Sequence, residues 1–69
     1  MWTVVYIAPN HAIAGMLKEL LNNEGFVVML RPVGPPHLGA SGSVEILVPD
    51  SEAEEALEII TAAIGNSTD

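Results

Sequence analysis

This 69-residue sequence predicts a single α+β domain with element order β-α-β-β-α. Three observations carry that expectation. Short runs of β-branched and aromatic residues alternate with longer stretches whose apolar residues recur at helical spacing. Gly and Pro punctuate the boundaries between those runs. Finally, 49% hydrophobic residues and a mean hydropathy of +0.40 set the chain apart from acidic disordered chains, which are poor in apolar residues.

The elements follow in order. Trp2 to Ala8 (WTVVYIA) reads as strand one, stopped by Pro9-Asn10. Asn10 suits an N-cap, because its side-chain oxygen can accept from a free amide of the next turn. Helix one is expected from about His11 to Glu24, with Ile13, Met16, Leu17, Leu20 and Leu21 on its apolar face. Gly15 inside it reads as room for close packing of a neighbour, and Gly25 offers a left-handed C-cap. Phe26 to Arg31 is strand two. The segment from Pro32 to Gly42 holds three prolines and three glycines and is expected to be a partly stiffened loop. Ser43 to Val48 is strand three, closed by Pro49. Ser51 and Glu54 have the spacing of a capping box, and Asp50 and Glu52 suit the positive end of the helix that follows. Helix two runs to about Ile64, burying Ala56, Leu57, Ile60, Ala63 and Ile64, and Gly65 ends it. The domain is thus expected over residues 1–65, with 66–69 a disordered tail.

Short connections and a right-handed crossover place both helices on one face of a three-stranded sheet of order 1-3-2. Strands one and two are then parallel to each other and antiparallel to strand three between them. This is a ferredoxin-like split β-α-β-β-α unit without a fourth strand.

Several residue runs resemble a known family. Ala8-Pro9-Asn10, Met16-Leu17-Lys18-Glu19-Leu20-Leu21 and Glu24-Gly25-Phe26 are similar to the start of a small prokaryotic signal-transducing domain. Val44-Glu45-Ile46-Leu47-Val48-Pro49 and Glu54-Glu55-Ala56-Leu57-Glu58-Ile59 resemble its closing strand and helix. The resemblance covers about residues 2–64. It implies a ferredoxin-like module akin to nitrogen-regulatory PII and amino-acid-binding regulatory domains, with no assigned reaction and no functional residue to carry over.

Charge excludes whole classes of partner. Two basic residues, Lys18 and Arg31, stand against nine acidic ones, for a net charge of -7. Two cations cannot neutralise the run of phosphates that nucleic-acid binding requires, nor hold an anionic membrane surface. The acids Asp50, Glu52, Glu54, Glu55 and Glu58 cluster and read as a solvated helix face. With no Cys there is no disulfide framework and no thiol chemistry. No apolar run reaches the ~18 residues of a membrane span, and Met1 to Ala8 lacks the basic region of a secretory signal. The expected location is cytoplasmic.

Two places are candidates for function. The first is the sheet face that two helices leave open. Arg31 and Glu45 are charged and should point away from the helices, and period-two alternation sends Val27, Met29 and Leu47 outward with them. Strand one is ambiguous: Trp2, Val4 and Tyr6 share one face, and Thr3, Val5 and Ile7 the other. Trp2, Val4, Tyr6, Val27, Met29 and Leu47 together form a patch larger than monomers usually expose. A chain this short buries only roughly 60% of its unfolded surface. We therefore expect a homodimer or a protein partner on that face, as against a monomer whose own loop or tail shields it. The unpaired edge of strand one is a second expected interface.

The second place is the edge where strands one and two end. Asn10 and His11 open helix one there, Arg31 ends strand two, and His37 lies in the loop beyond. A helix amino terminus, a guanidinium and two imidazoles together could hold a small anion. The plainer alternative is a solvated His11, a loop residue at His37, and Arg31 paired with Glu45. A metal site is weaker, because the acidic cluster opens helix two at the other end of the sheet. No cofactor is implied: Gly34, Gly39 and Gly42 are not followed by Gly-Lys-Ser/Thr. Ser41, Ser43 and Ser51 lack a nucleophile-elbow context, so the expectation is a non-enzymatic regulatory or interaction module.

Overall fold

The computed structural model describes residues 1–33 and 42–65. Over these residues the order is β1 (Trp2–Ala8), α1 (His11–Asn23), β2 (Met29–Pro32), β3 (Val44–Pro49), a 3-10 turn (Asp50–Glu52) and α2 (Ala53–Gly65). The three strands form one sheet of order β1-β3-β2, and β3 runs antiparallel to both neighbours. This is the α+β, ferredoxin-like arrangement that the sequence predicts. The expected disordered tail, 66–69, lies outside the described residues.

Each boundary has a local cause. The Asn10 side chain accepts from the Ile13 backbone N–H at 2.9 Å and caps α1. At the other end Gly25, at φ +97°, lets the chain turn back. The Phe26 N–H then reaches the Leu21 carbonyl and the Gly25 N–H reaches Asn22, both at 3.0 Å. That pattern is a Schellman cap, and it brings Phe26 down against the core beside Leu21. The cap also moves the start of β2. Strand two does not begin at Phe26, because Phe26 to Val28 form the helix exit, and ladder pairing starts at Met29.

The capping box expected at Ser51 and Glu54 does not form. Asp50, Ser51 and Glu52 make a 3-10 turn, α2 begins only at Ala53, and no side chain caps that turn. Asp50 is instead tied to the start of β1. Its backbone N–H donates to the Met1 carbonyl at 2.8 Å, and its carboxylate accepts from the Thr3 hydroxyl. The acids Asp50, Glu52, Glu54 and Glu55 still stand in first turns, at the positive end of the dipole.

The core lies between the sheet and the two helices. Val44, Ile46 and Val48 of β3 are fully buried, with Ala8 of β1, Ala14, Leu17 and Leu21 of α1, and Ala56 and Ile60 of α2. Leu57, Ala63 and Ile64, expected in that core, are exposed on α2. At Gly15 an added Cβ would meet nothing within 4 Å, so this glycine makes no room for a neighbour.

Candidate functional site

The sheet register assigns every strand residue to a face. Ile46 lies opposite Tyr6 on β1 and Leu30 on β2, and Val44 opposite Ala8 and Pro32. Those rows, with Thr3 beside Val48, face the helices. The alternate rows form the open face: Trp2 beside Pro49, Val4 beside Leu47 and Met29, and Ile7 beside Glu45 and Arg31.

The ambiguous phase of β1 is resolved by a break in the ladder. Val4 pairs with Leu47 but the next pair is Tyr6 with Ile46, so Val5 is an extra residue in a β-bulge. Before the bulge Trp2 and Val4 point to the open face. After it the alternation is shifted by one, and Tyr6 turns inward while Ile7 turns outward. Tyr6 therefore does not belong to the outer patch. Its ring packs against the core and helps wall an apolar groove of about 290 Å³ with Pro9, Ile13, Met16 and Ile64. Ile7, 54% exposed, takes its place on the open face. Nothing in the sequence marks this bulge, since no glycine or proline accompanies it.

Leu47 needs a second correction. It lies on the open face as expected, yet only 3% of it is exposed. It occupies the central strand, flanked in register by Val4 and Met29. The exposed apolar surface of this face is therefore made by the side chains around it: Trp2 (45% exposed), Val4, Ile7 and Met29. Val27 is exposed as well, in the segment leading into β2.

Among the described residues the open face carries one ion pair. Arg31 directs both Nε and Nη2 at the Oε1 oxygen of Glu45, each at 2.6 Å, on adjacent strands in direct register. This pairing bears on the anion-site residues. Arg31 lies on the sheet face opposite the helices and holds a carboxylate, whereas Asn10 sits at the head of α1 with its oxygen engaged by Ile13. His11 is exposed in the first turn of α1. The fold thus does not bring Asn10, His11 and Arg31 together on one face, and His37 lies outside the described residues. Among the described residues no group of three or more His, Asp or Glu is arranged to hold a metal, and no helix is long and apolar enough to cross a membrane.

Among protein families, the one described as "Putative prokaryotic signal transducing protein" matches residues 2–64, nearly the whole chain. Neither the curated proteins nor the solved structures gave a match.

Proposed function

The chain belongs to that signal-transducing family, and from this premise we propose that it is a small, non-enzymatic, cytoplasmic regulatory module that acts as a homodimer through its open sheet face. The observation that supports this reading is a contrast in charge between the two faces. Glu19 is on α1, Glu24 caps it, and Asp50, Glu52, Glu54, Glu55 and Glu58 belong to the 3-10 turn and α2. Among the described residues the open face carries Glu45 alone of the acids, and Arg31 neutralises it. Two chains of net charge -7 repel each other. They repel least when the neutral faces meet and the helices stay outside. Trp2, Val4, Ile7 and Met29 supply the apolar area that such a contact removes from water.

The size of the face sets the strength. Strands ~4.8 Å apart and a rise of ~3.4 Å per residue give a footprint on the order of 350 Å² for a sheet of this width. A standard interface buries about 800 Å² on each partner. Face-to-face association is accordingly weak and reversible, which suits a regulatory step.

Sedimentation equilibrium from low micromolar to millimolar protein tests the reading. Reversible dimerisation is expected, and Met29→Glu should weaken it at least tenfold by placing an unpaired carboxylate in the contact. A single 7.3 kDa species at every concentration would overturn it. Docking of the same face on a larger protein would instead give that single species alone and a stoichiometric complex with the partner.

A further inference from the structure

Charge is uneven along the strands as well as between the two faces. One end of the sheet is set by the Trp2–Pro49 pair, the other by Val44 with Ala8 and Pro32. At the Trp2 end β3 runs into the 3-10 turn and α2, which bring Asp50, Glu52, Glu54 and Glu55 there. Asp50 is held against Met1 and Thr3. α1 finishes at the same end, where Glu24 shares a groove with Glu55 and Glu58. The Ala8 end is the reverse. α1 starts there with His11 and no acid in its first turn, and α2 finishes there, beside Tyr6 and Pro9, with no acid after Glu58. Arg31 stands near that end of β2, beside Glu45. Among the described residues the chain thus has an acid-rich end and an acid-poor end that carries a guanidinium.

An isologous face-to-face contact has its two-fold axis in the plane between the two sheets. The open face is elongated: seven residues of β1 rising ~3.4 Å each span about 24 Å, against about 14 Å for three strands ~4.8 Å apart. It overlaps a copy of itself most fully when the strands are aligned, to within about 30°. Two orientations do this. With the axis along β3, like ends coincide. Glu45 then stands opposite Glu45 of the other copy, and Asp50 beside Asp50, across sheets about 10 Å apart. Carboxylates brought together in a contact that excludes water repel strongly. With the axis across the strands, through the row of Val4, Leu47 and Met29, unlike ends coincide. Glu45 then stands opposite Pro49, Ile7 opposite Trp2, and Arg31 opposite Val27, two residues before Met29. The two Glu45 are then about 14 Å apart along the strands, in addition to the gap between the sheets.

From this asymmetry we infer that two copies pack with their strands antiparallel, the acid-rich end of each over the Arg31 end of the other. The inference rests on the face-to-face contact proposed above. Its occupant is a second copy because one chain carries both halves of the complementarity, the cluster of carboxylates and the end that lacks them. The same two-fold axis puts the largest exposed side chain of the face, Trp2, on Ile7 of the other copy, and Ile7 on its Trp2.

Two measurements on the full chain test it. The sequence has no cysteine and one tryptophan, so a nitroxide on an introduced cysteine of one copy quenches Trp2 of the other only at close range. Trp2→Phe chains carrying the nitroxide at Ile7→Cys, or at Val27→Cys, are mixed in excess with wild type at a concentration where it sediments as a dimer. All three positions are exposed in the single chain. The label at Ile7→Cys should quench at least threefold more than the label at Val27→Cys. Equal quenching, stronger quenching from Val27→Cys, or a mixed dimer without quenching from either label would overturn the antiparallel arrangement and leave the face-to-face reading standing. The second measurement, sedimentation of Glu45→Gln, needs no label. Its dimerisation constant should lie within threefold of wild type, because the two Glu45 do not meet. Tightening of tenfold or more is the mark of like ends in contact and would overturn the inference. A single 7.3 kDa species of wild type at every concentration would instead overturn the face-to-face reading, and this orientation with it.

Discussion

Replacing Tyr6 by alanine and, separately, Ile7 by threonine tests the bulge that decides which side chains reach the core. With regular alternation through β1, Tyr6 would be a surface residue and Ile7 a core residue. With Val5 as an extra residue the assignments reverse. A fully buried aromatic residue costs about 3–5 kcal/mol when cut to alanine. Tyr6 is half-buried beside a groove, so about 2 kcal/mol is expected from that range. Ile7→Thr keeps a β-branched side chain at an exposed position and should stay within about 0.5 kcal/mol of wild type. A domain of this length has a stability of roughly 3–10 kcal/mol, so loss of Tyr6 removes a large fraction of it. Urea unfolding followed by far-UV circular dichroism reads the difference, since Trp2 is already exposed in the folded chain. With a slope of about 1 kcal/mol per molar urea, the Tyr6→Ala midpoint should fall by about 2 M while that of Ile7→Thr barely moves. The measurement belongs at protein concentrations below self-association, so that an interface effect of Ile7 does not enter. Equal losses in the two variants, or a greater loss at Ile7, would refute the bulge.

The same unfolding assay checks four further expectations. Gly15→Ala should raise stability by about 1 kcal/mol, because this mid-helix glycine has open space where the methyl group would go. Gly25→Ala should lower it by about 1–2 kcal/mol purely through backbone strain at φ +97°, since no atom lies close enough to clash. Asn10→Ala removes the acceptor for the Ile13 N–H and should cost about 1 kcal/mol. Arg31→Ala breaks an exposed ion pair and should cost no more than about 1 kcal/mol, an effect that shrinks in high salt.

Much of the candidate site was legible from side-chain chemistry alone. Arg31 and Glu45 cannot be buried cheaply, and that fact oriented β2 and β3 and drew Met29 and Leu47 to the open face with them. The Arg31–Glu45 pair itself, raised as the plainer alternative to an anion site, is what the structure contains. Leu47 shows the limit of such reasoning. Period two states which face a residue is on, but not that the middle strand of three is shielded by its neighbours on both sides. The strand-two boundary was missed for a related reason. Phe26-Val27-Val28 has high strand propensity, yet the Schellman cap at Gly25 engages Phe26 with Leu21 before any ladder can start.

What the sequence determined by itself were the features set by near neighbours along the chain: the cap at Asn10, the left-handed turn at Gly25, the periodicities that make two helices and three strands, and the order in which they pair. Tertiary structure alone decided the rest, namely the extra residue in β1, the inward turn of Tyr6, the outward turn of Ile7, and the 3-10 turn in place of a capping box. The physical reason is the same in each case. A strand's phase and a helix's first turn depend on partners far away in sequence, here β3 for Val5 and Thr3 with Met1 for Asp50, and no local preference encodes those contacts.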